Sequence, residues 1–231
     1  MKIIECKDMV KSFGHPPVTI LKSLNFTVDE GEFLSVTGRS GSGKSTLLYT
    51  VSGLDPLTSG SVFVLGEEVH RMPSRETHEF RNQKIGFVFQ FHYLLPELTA
   101  FENILMPARK IKMEKQKASY AVELMHEFEI EKCKDKIPAQ MSGGELQRTS
   151  IARSLIMEPR ILFADEPTGN LDSENGERVM HIFEKINKNL STTIIMVTHE
   201  PDFAKRARRT IHLTDGVIES DVFNSVPKRK K

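Results

Sequence analysis

The 231-residue sequence has few cysteines, no long apolar run and almost no net charge. Cys6 and Cys133 lie far apart in the chain, so they form no C-x-x-C metal pair and no disulfide framework, which favours a reducing compartment such as the cytosol. The 32 basic residues balance 31 acidic ones, and this composition gives no electrostatic reason to expect a nucleic-acid partner. Because Glu5 comes early and no apolar run reaches about 18 residues, we expect neither a signal peptide nor a membrane span.

A glycine-rich stretch at residues 38–46 is the strongest motif in the sequence. It fits the phosphate-loop pattern G-x-x-x-x-G-K-[S/T], with a strand-like segment before it and a helix-like segment after it. Glycines let backbone N–H groups converge on phosphates, Lys44 can reach the β- and γ-phosphates, and the Ser45 hydroxyl can bind Mg²⁺. A chance turn of this form is expected in about one such chain in a hundred. The residues predicted to contact a nucleotide are Gly38, Arg39, Ser40, Gly41, Ser42, Gly43, Lys44, Ser45 and Thr46.

Four further polar residues follow apolar segments that are typical of buried strands. Asp165 and Glu166 come after 161–164, and Gln90 and His199 come after two other segments of this kind. Ligand-facing residues collect at the carboxyl ends of strands in open α/β sheets. We therefore assign Asp165 to Mg²⁺ and Glu166 to the general base that activates water. Gln90 is expected to contact Mg²⁺ or the water and His199 the γ-phosphate, although without the phosphate loop all four would be ordinary surface residues.

The alternation of strands with helices predicts an α/β fold with a parallel sheet. Alternating apolar residues before the phosphate loop predict an N-terminal antiparallel β-subdomain, and Asp215-Gly216 predicts a hairpin. A helical pattern from Thr99 to Phe128 predicts a second lobe. The apolar face of this lobe is predicted to contain Ala118, Ala121, Val122, Met125 and Phe128.

The expected organisation is a single domain, 1–231. Its nucleotide-binding core, with the β-subdomain, is placed at approximately 1–90 and 160–220, and the helical subdomain at 91–159. A basic tail is placed at 221–231, ending in Lys228-Arg229-Lys230-Lys231. We expect this tail to be solvated, with contact to anionic lipid or RNA as the alternative.

From end to end the chain resembles the ATPase subunits of ABC transporters. The matching elements, in order, are an aromatic before the phosphate loop (Phe13), the loop itself, Gln90, the signature Met141-Ser142-Gly143-Gly144-Glu145, Asp165 with Glu166, the segment Gly169-Asn170-Leu171-Asp172, and His199. The resemblance implies a P-loop NTPase core with the two subdomains, hydrolysis of ATP with Mg²⁺, and stacking of adenine on Phe13. Phe13 stands where tyrosine is usual, which keeps the stacking, and Glu145 stands where glutamine is commoner.

For the signature segment, the resemblance implies a role that a single copy cannot show. Ser142 and Glu145 have the form of a helix capping box, which alone predicts only a helix start. In the family, Ser142, Gly143 and Gly144 face the γ-phosphate held by Lys44 of a second copy, and both roles are compatible. Two ATP molecules are then enclosed in a head-to-tail dimer, with Asp172 lying across the interface.

The segments 52–55, 91–104 and 164–172 resemble one branch of the family, which contains lipoprotein-release, macrolide-efflux, cell-division and antibiotic-resistance ATPases. This branch implies a subunit that lies on the cytoplasmic face of the membrane and drives a separate membrane protein. The region after Gln90 is the expected docking groove, unless its apolar residues are core beneath a loop.

The sequence leaves two other functions open. One is an ATP-driven regulator of an extracytoplasmic process, as in the cell-division relatives, with no transported cargo. The other is a soluble ABC ATPase of DNA repair, translation or cluster assembly. A single nucleotide domain without a long coiled-coil insert or a basic face disfavours the DNA-repair and translation roles.

Overall fold

The computed structural model describes residues 1–224, which form two β-sheets and a set of helices. The strands are β1 (Lys2–Phe13), β2 (Val18–Asp29), β3 (Phe33–Thr37), β4 (Ser59–Val64), β5 (Glu67–Glu68), β6 (Ile85–Val88), β7 (Ile161–Asp165), β8 (Thr193–Val197), β9 (Arg209–Thr214) and β10 (Val217–Phe223). The helices are α1 (Lys44–Val51), α2 (Ser74–Lys84), α3 (Ala100–Arg109), α4 (Glu114–Glu127), α5 (Gly143–Leu155), α6 (Ser173–Leu190) and α7 (Pro201–Ala204), with 3-10 turns at Glu131–Cys133 and Pro138–Gln140.

The larger sheet has the strand order β10-β9-β3-β8-β7-β6. The strands from β9 to β6 are parallel, and β10 pairs antiparallel with β9. Every residue of β7 and β8 is buried, as expected where both faces of a parallel sheet are covered. Because the strands are parallel, their carboxyl ends meet at one edge, where β3 leads into the phosphate loop and β7 ends at Asp165.

The smaller sheet is antiparallel, with the order β2-β1-β4-β5, which confirms the predicted β-subdomain. Its inward side chains join those of α1 and of one face of the larger sheet in a single apolar cluster. A second cluster unites α3, α4, α5 and α6 with the opposite face of the larger sheet. The phosphate-loop helix therefore packs between the two sheets.

The predicted helical lobe is present, but the assignment of one residue, Val122, to its apolar face is wrong. The lobe consists of two helices, α3 and α4, and the buried residues of α4 are Ala121, Leu124 and Met125. Val122 is 45% exposed. It lies one residue beyond Ala121, about 100° further around the helix, and this rotation carries it away from the core.

The carboxyl-terminal hairpin forms at Asp215-Gly216, as predicted. Strand β10 continues to Phe223, which pairs with Arg209, so regular structure extends three residues into the range predicted as the tail. The basic run Lys228-Arg229-Lys230-Lys231 lies outside the described residues. Within residues 1–224, no helix combines the length and the apolar character needed to span a bilayer.

Candidate nucleotide site

The phosphate loop connects β3 to α1. Gly38 has φ of 148°, and a Cβ at this position would lie 2.2 Å from the carbonyl oxygen of Leu213, so only glycine fits. Lys44 is buried, and its Nζ donates to the carbonyl oxygens of Gly38 and Arg39, both at 3.0 Å. The ammonium is therefore held inside the loop at the positive end of α1, where a phosphate group can replace its carbonyl partners.

The carboxylate of Asp165 is held by two hydroxyl groups of α1. The Ser45 Oγ donates to Oδ1 at 2.9 Å, and the Tyr49 hydroxyl donates to Oδ2 at 2.6 Å. Burial, followed by the hydrogen bond to Asp165, raises the pKa of Tyr49 and keeps the phenol protonated. A serine hydroxyl beside a carboxylate is a hard oxygen donor set, and such a set would suit Mg²⁺.

Glu166 and His199 form a pair at the carboxyl ends of β7 and β8. The Nδ1 of His199 donates to Oε2 of Glu166 at 2.7 Å, and the backbone N–H of His199 approaches the same oxygen at 3.3 Å. Glu166 has φ of 47°, an unusual conformation for a residue with a side chain, and its N–H donates to the carbonyl of Val197 at 2.9 Å. Glu166 lines the same cleft as Lys44 and Ser45 of the phosphate loop.

A cleft of about 490 Å³ gathers six of the nine predicted phosphate-loop residues together with Phe13, Gln90 and Glu166. It is lined by Phe13, Ile20, Ser40, Gly41, Gly43, Lys44, Ser45, Thr46, Gln90 and Glu166. Gly38, Arg39 and His199 line an adjoining cavity of about 580 Å³ that shares Ser40. Ser42 is buried, and its Oγ has no hydrogen-bond partner within residues 1–224.

Phe13 lines the cleft, and its stacking on adenine stays a prediction. Its ring is half exposed, and the ammonium of Lys11 lies 4.3 Å from the ring centroid. A cation over an aromatic face is a favourable contact that fixes the ring. Phe13 therefore offers a fixed aromatic surface at the cleft, which suits a base.

Among residues 1–224, those that line the cleft include none from the signature segment. Ser142 caps α5: its Oγ accepts from the N–H of Glu145 at 3.3 Å, and its N–H donates to Oε2 of Glu145 at 2.7 Å. The predicted capping box is thus confirmed. Asp172 caps α6 by accepting from the N–H of Asn175 at 2.9 Å, and this bond is the main reason that the pKa of Asp172 is lowered. Contact of either segment with a nucleotide stays a prediction.

Gly144 shows how closely these two caps pack. A Cβ at this position would lie 2.3 Å from Oδ1 of Asn175, so a larger residue would force the Asn175 side chain to move. The exposed Ser142 and Gly143 and the exposed Asp172 consequently share one patch of the surface.

An apolar groove lies behind Gln90, with a volume of about 380 Å³. Its lining includes Phe87, Phe89, Tyr93, Met106 and Met157. Phe91 and Tyr93 are 63% and 65% exposed, so they are surface residues and not core beneath a loop.

Arg153 of α5 fixes the wall of this groove. Its guanidinium donates to the carbonyl oxygens of His92 at 2.6 Å and of Tyr93 at 2.5 Å. Burial lowers the pKa of Arg153 to about 10. The helix that begins at the signature segment therefore ends against the segment that follows Gln90.

Comparison with known proteins agrees with this geometry. The family model for ABC transporters matches residues 21–169, more than half of the chain. The chain belongs to the ABC transporter family. The lipoprotein-releasing system ATP-binding protein LolD of Leptospira interrogans is 48% identical over 229 residues, covering 99% of this chain and 96% of that protein. The LolD of Aquifex aeolicus is 50% identical over 204 residues, covering 88% of this chain and 91% of that protein.

A solved structure supports the same assignment. The dimeric, post-hydrolysis state of the ATP-binding cassette MJ0796, bound to ADP and Pi, matches with a TM-score of 0.87 at 35% identity, over 96% of this chain and 99% of that one. This ABC chain is therefore an ATP-binding ATPase subunit, with the fold predicted from its sequence.

One residue of the site was missed by the sequence. Tyr49 is not part of the phosphate-loop pattern, yet it holds Asp165. A signal was present, because Ser45 and Tyr49 are four residues apart and share one face of α1.

Proposed function

We propose that this ABC ATPase acts as a homodimer that drives a separate membrane subunit in lipoprotein release. The observation that carries the ATPase part is the meeting of the phosphate loop with Asp165 and the Glu166–His199 pair at one sheet edge. The lipoprotein part rests on the names of the two relatives, which align with almost the whole chain or most of it. Those names favour an ATPase that releases a cargo over an ATP-driven regulator with no transported cargo.

In the proposed reaction, water attacks the γ-phosphorus while the bond to the β–γ bridging oxygen breaks, giving ADP and Pi. Glu166 takes the proton of the water, and His199 orients the Glu166 carboxylate through the 2.7 Å hydrogen bond. His199 is also proposed to contact the γ-phosphate. Lys44 and the loop N–H groups stabilise the negative charge that develops on the phosphate oxygens.

Ser45, Gln90 and Asp165 would hold Mg²⁺. When bound, this ion neutralises charge on the β- and γ-phosphate oxygens. The 2.9 Å contact between Ser45 and Asp165 supports the assignment, because it places two oxygen donors together beside the cleft.

Each copy supplies half of a nucleotide site in this proposal. The phosphate loop contacts one side of the triphosphate, and the exposed N-terminus of α5, with Ser142 and Gly143, binds the γ-phosphate of the partner. The dimeric state of MJ0796 supports the arrangement. Asp172 lies beside this N-terminus and would cross the same interface.

The membrane subunit is proposed to dock in the groove behind Gln90. Exposed aromatic side chains and a rigid wall suit an apolar helix from the cytoplasmic side of that subunit. The chain would then lie on the inner face of the cell membrane as a peripheral protein.

The experiment uses the complex purified with its membrane subunit and placed in vesicles that contain a lipoprotein. ATP is expected to release the lipoprotein to a soluble acceptor, and a complex carrying Glu166→Gln is expected to retain it. Release without ATP hydrolysis, or ATP hydrolysis that never releases a lipoprotein, would contradict the proposal.

A further inference from the structure

Tyr49 lies at the boundary between the nucleotide site and the groove. Its hydroxyl donates to Oδ2 of Asp165 at 2.6 Å, while Ser45 donates to Oδ1 at 2.9 Å. Because both hydroxyl groups come from one face of α1, they fix the orientation of the carboxylate against the helix. Asp165 is only 5% exposed, so burial and these two hydrogen bonds together restrict the rotation of its carboxylate.

The ring of Tyr49 contacts the aromatic floor of the groove. Its centroid lies 5.8 Å from that of Phe87 and 6.4 Å from that of Phe89. Phe87 and Phe89 stack at 4.3 Å, and Phe89 meets Tyr93 edge to face at 5.0 Å. Phe87, Phe89 and Tyr93 all line the groove, so an unbroken series of aromatic contacts joins its surface to the Asp165 carboxylate.

We propose that Tyr49 is a positioning residue that couples the orientation of Asp165 to the conformation of the groove. The inference rests on the proposed function, in which Asp165 serves the nucleotide and the groove receives the membrane subunit. Because closely packed aromatic rings cannot move independently of one another, a displacement of Phe89 changes the position of the Tyr49 hydroxyl. The coupling is reciprocal, and a change at Asp165 therefore also reaches Tyr93.

The variant Tyr49→Phe distinguishes the proposed positioning role of the hydroxyl from the packing role of the ring. Phenylalanine keeps the ring between α1 and the groove but removes the hydrogen bond to Asp165. Tyr120→Phe is the matched control, since Tyr120 lies on α4 and is not part of the aromatic series. Comparable thermal melting of the two variants establishes that both are folded.

The first measurement follows the groove by ¹⁹F NMR. The sequence contains three tyrosines and no tryptophan, so the full chain labelled with 3-fluorotyrosine gives three resonances that tyrosine-to-phenylalanine variants assign. Glu166→Gln serves as the parent so that ATP persists. Mg²⁺ with ATP is expected to shift the Tyr93 resonance in the parent and in Tyr120→Phe, and to shift it less in Tyr49→Phe.

The second measurement follows the carboxylate with Mn²⁺ as the probe, titrated in the presence of ATP and observed by electron paramagnetic resonance. Hydrogen bonds to a metal-binding group are worth about 10- to 100-fold in metal affinity, so Tyr49→Phe is expected to weaken Mn²⁺ binding by about 10-fold or more. In turnover assays of the corresponding variant with Glu166 intact, the half-saturating Mg²⁺ concentration is expected to rise more than kcat falls.

An unchanged Mn²⁺ affinity overturns the link from Tyr49 to Asp165, and an unchanged Tyr93 response overturns the link to the groove. Either result refutes the inference. If the wild-type chain hydrolyses ATP and drives release, such a result leaves the proposed function intact. If the wild-type chain does not hydrolyse ATP, the proposed function itself has failed.

Discussion

Replacing Glu166 with glutamine tests the proposed general base most directly. The side chain accepts from His199 at 2.7 Å, and the amide oxygen of glutamine can accept the same hydrogen bond, so the site keeps its shape. Glutamine cannot take a proton from water at neutral pH. Loss of a general base lowers the rate by about 10² to 10⁴, which corresponds to roughly 3 to 5 kcal/mol of barrier.

The assay measures phosphate release at saturating Mg²⁺ and ATP, together with equilibrium binding of ATP. Binding is expected to be unchanged because Lys44 and the phosphate loop remain, and the ATP-bound variant is expected to elute as a dimer. The control is Glu200→Gln: this neighbouring carboxylate accepts from Thr168 at 2.6 Å and is expected to leave turnover near the wild-type rate. Wild-type turnover in Glu166→Gln would refute the assignment.

Three further predictions concern the loop, the groove and the helix cap. Lys44→Ala removes the buried cation and is expected to abolish ATP binding and hydrolysis together; equilibrium titration that shows normal binding would contradict this role. Tyr93→Asp places a charge in the groove and is expected to reduce co-purification of the membrane subunit, whereas Val122→Asp, an exposed control on α4, retains it; equal recovery would argue against the groove. Ser142→Ala removes the cap of α5 and is expected to lower the free energy of unfolding in urea by about 1 kcal/mol; an unchanged value would show that the cap contributes nothing.

The candidate site residues that the sequence could propose are those whose role is local or tied to strand ends. The phosphate loop can be recognised because glycine spacing and one lysine are required by a short piece of backbone. Gln90 and His199 could be proposed because each follows a buried strand, and strand ends converge in a parallel sheet. These arguments need no knowledge of which side chains touch.

The residues that the sequence missed depend on contacts between distant elements. Tyr49 meets Asp165 across 116 positions of the chain. Its spacing from Ser45 places both on one face of α1 but does not identify Asp165 as their common partner. Val122 was misplaced for a related reason: helical spacing defines a stripe about 100° wide or more, and tertiary packing decides where its edge falls. Leu124 occupies the buried position instead.

The position of the signature segment gives a physical reason for the proposed sharing of the nucleotide between two copies. In one copy, the loop with its buried cation lines the cleft, and within residues 1–224 the capped N-terminus of α5 does not line it. A helix N-terminus that carries exposed polar donors favours an anion, and the γ-phosphate bound by a second copy supplies one. ATP thereby contributes to both halves of the interface, whereas ADP lacks the group that the second half contacts. In the proposed dimer the phosphate loop is half of a binding site, and the chemistry at Glu166 is linked to closure of that dimer.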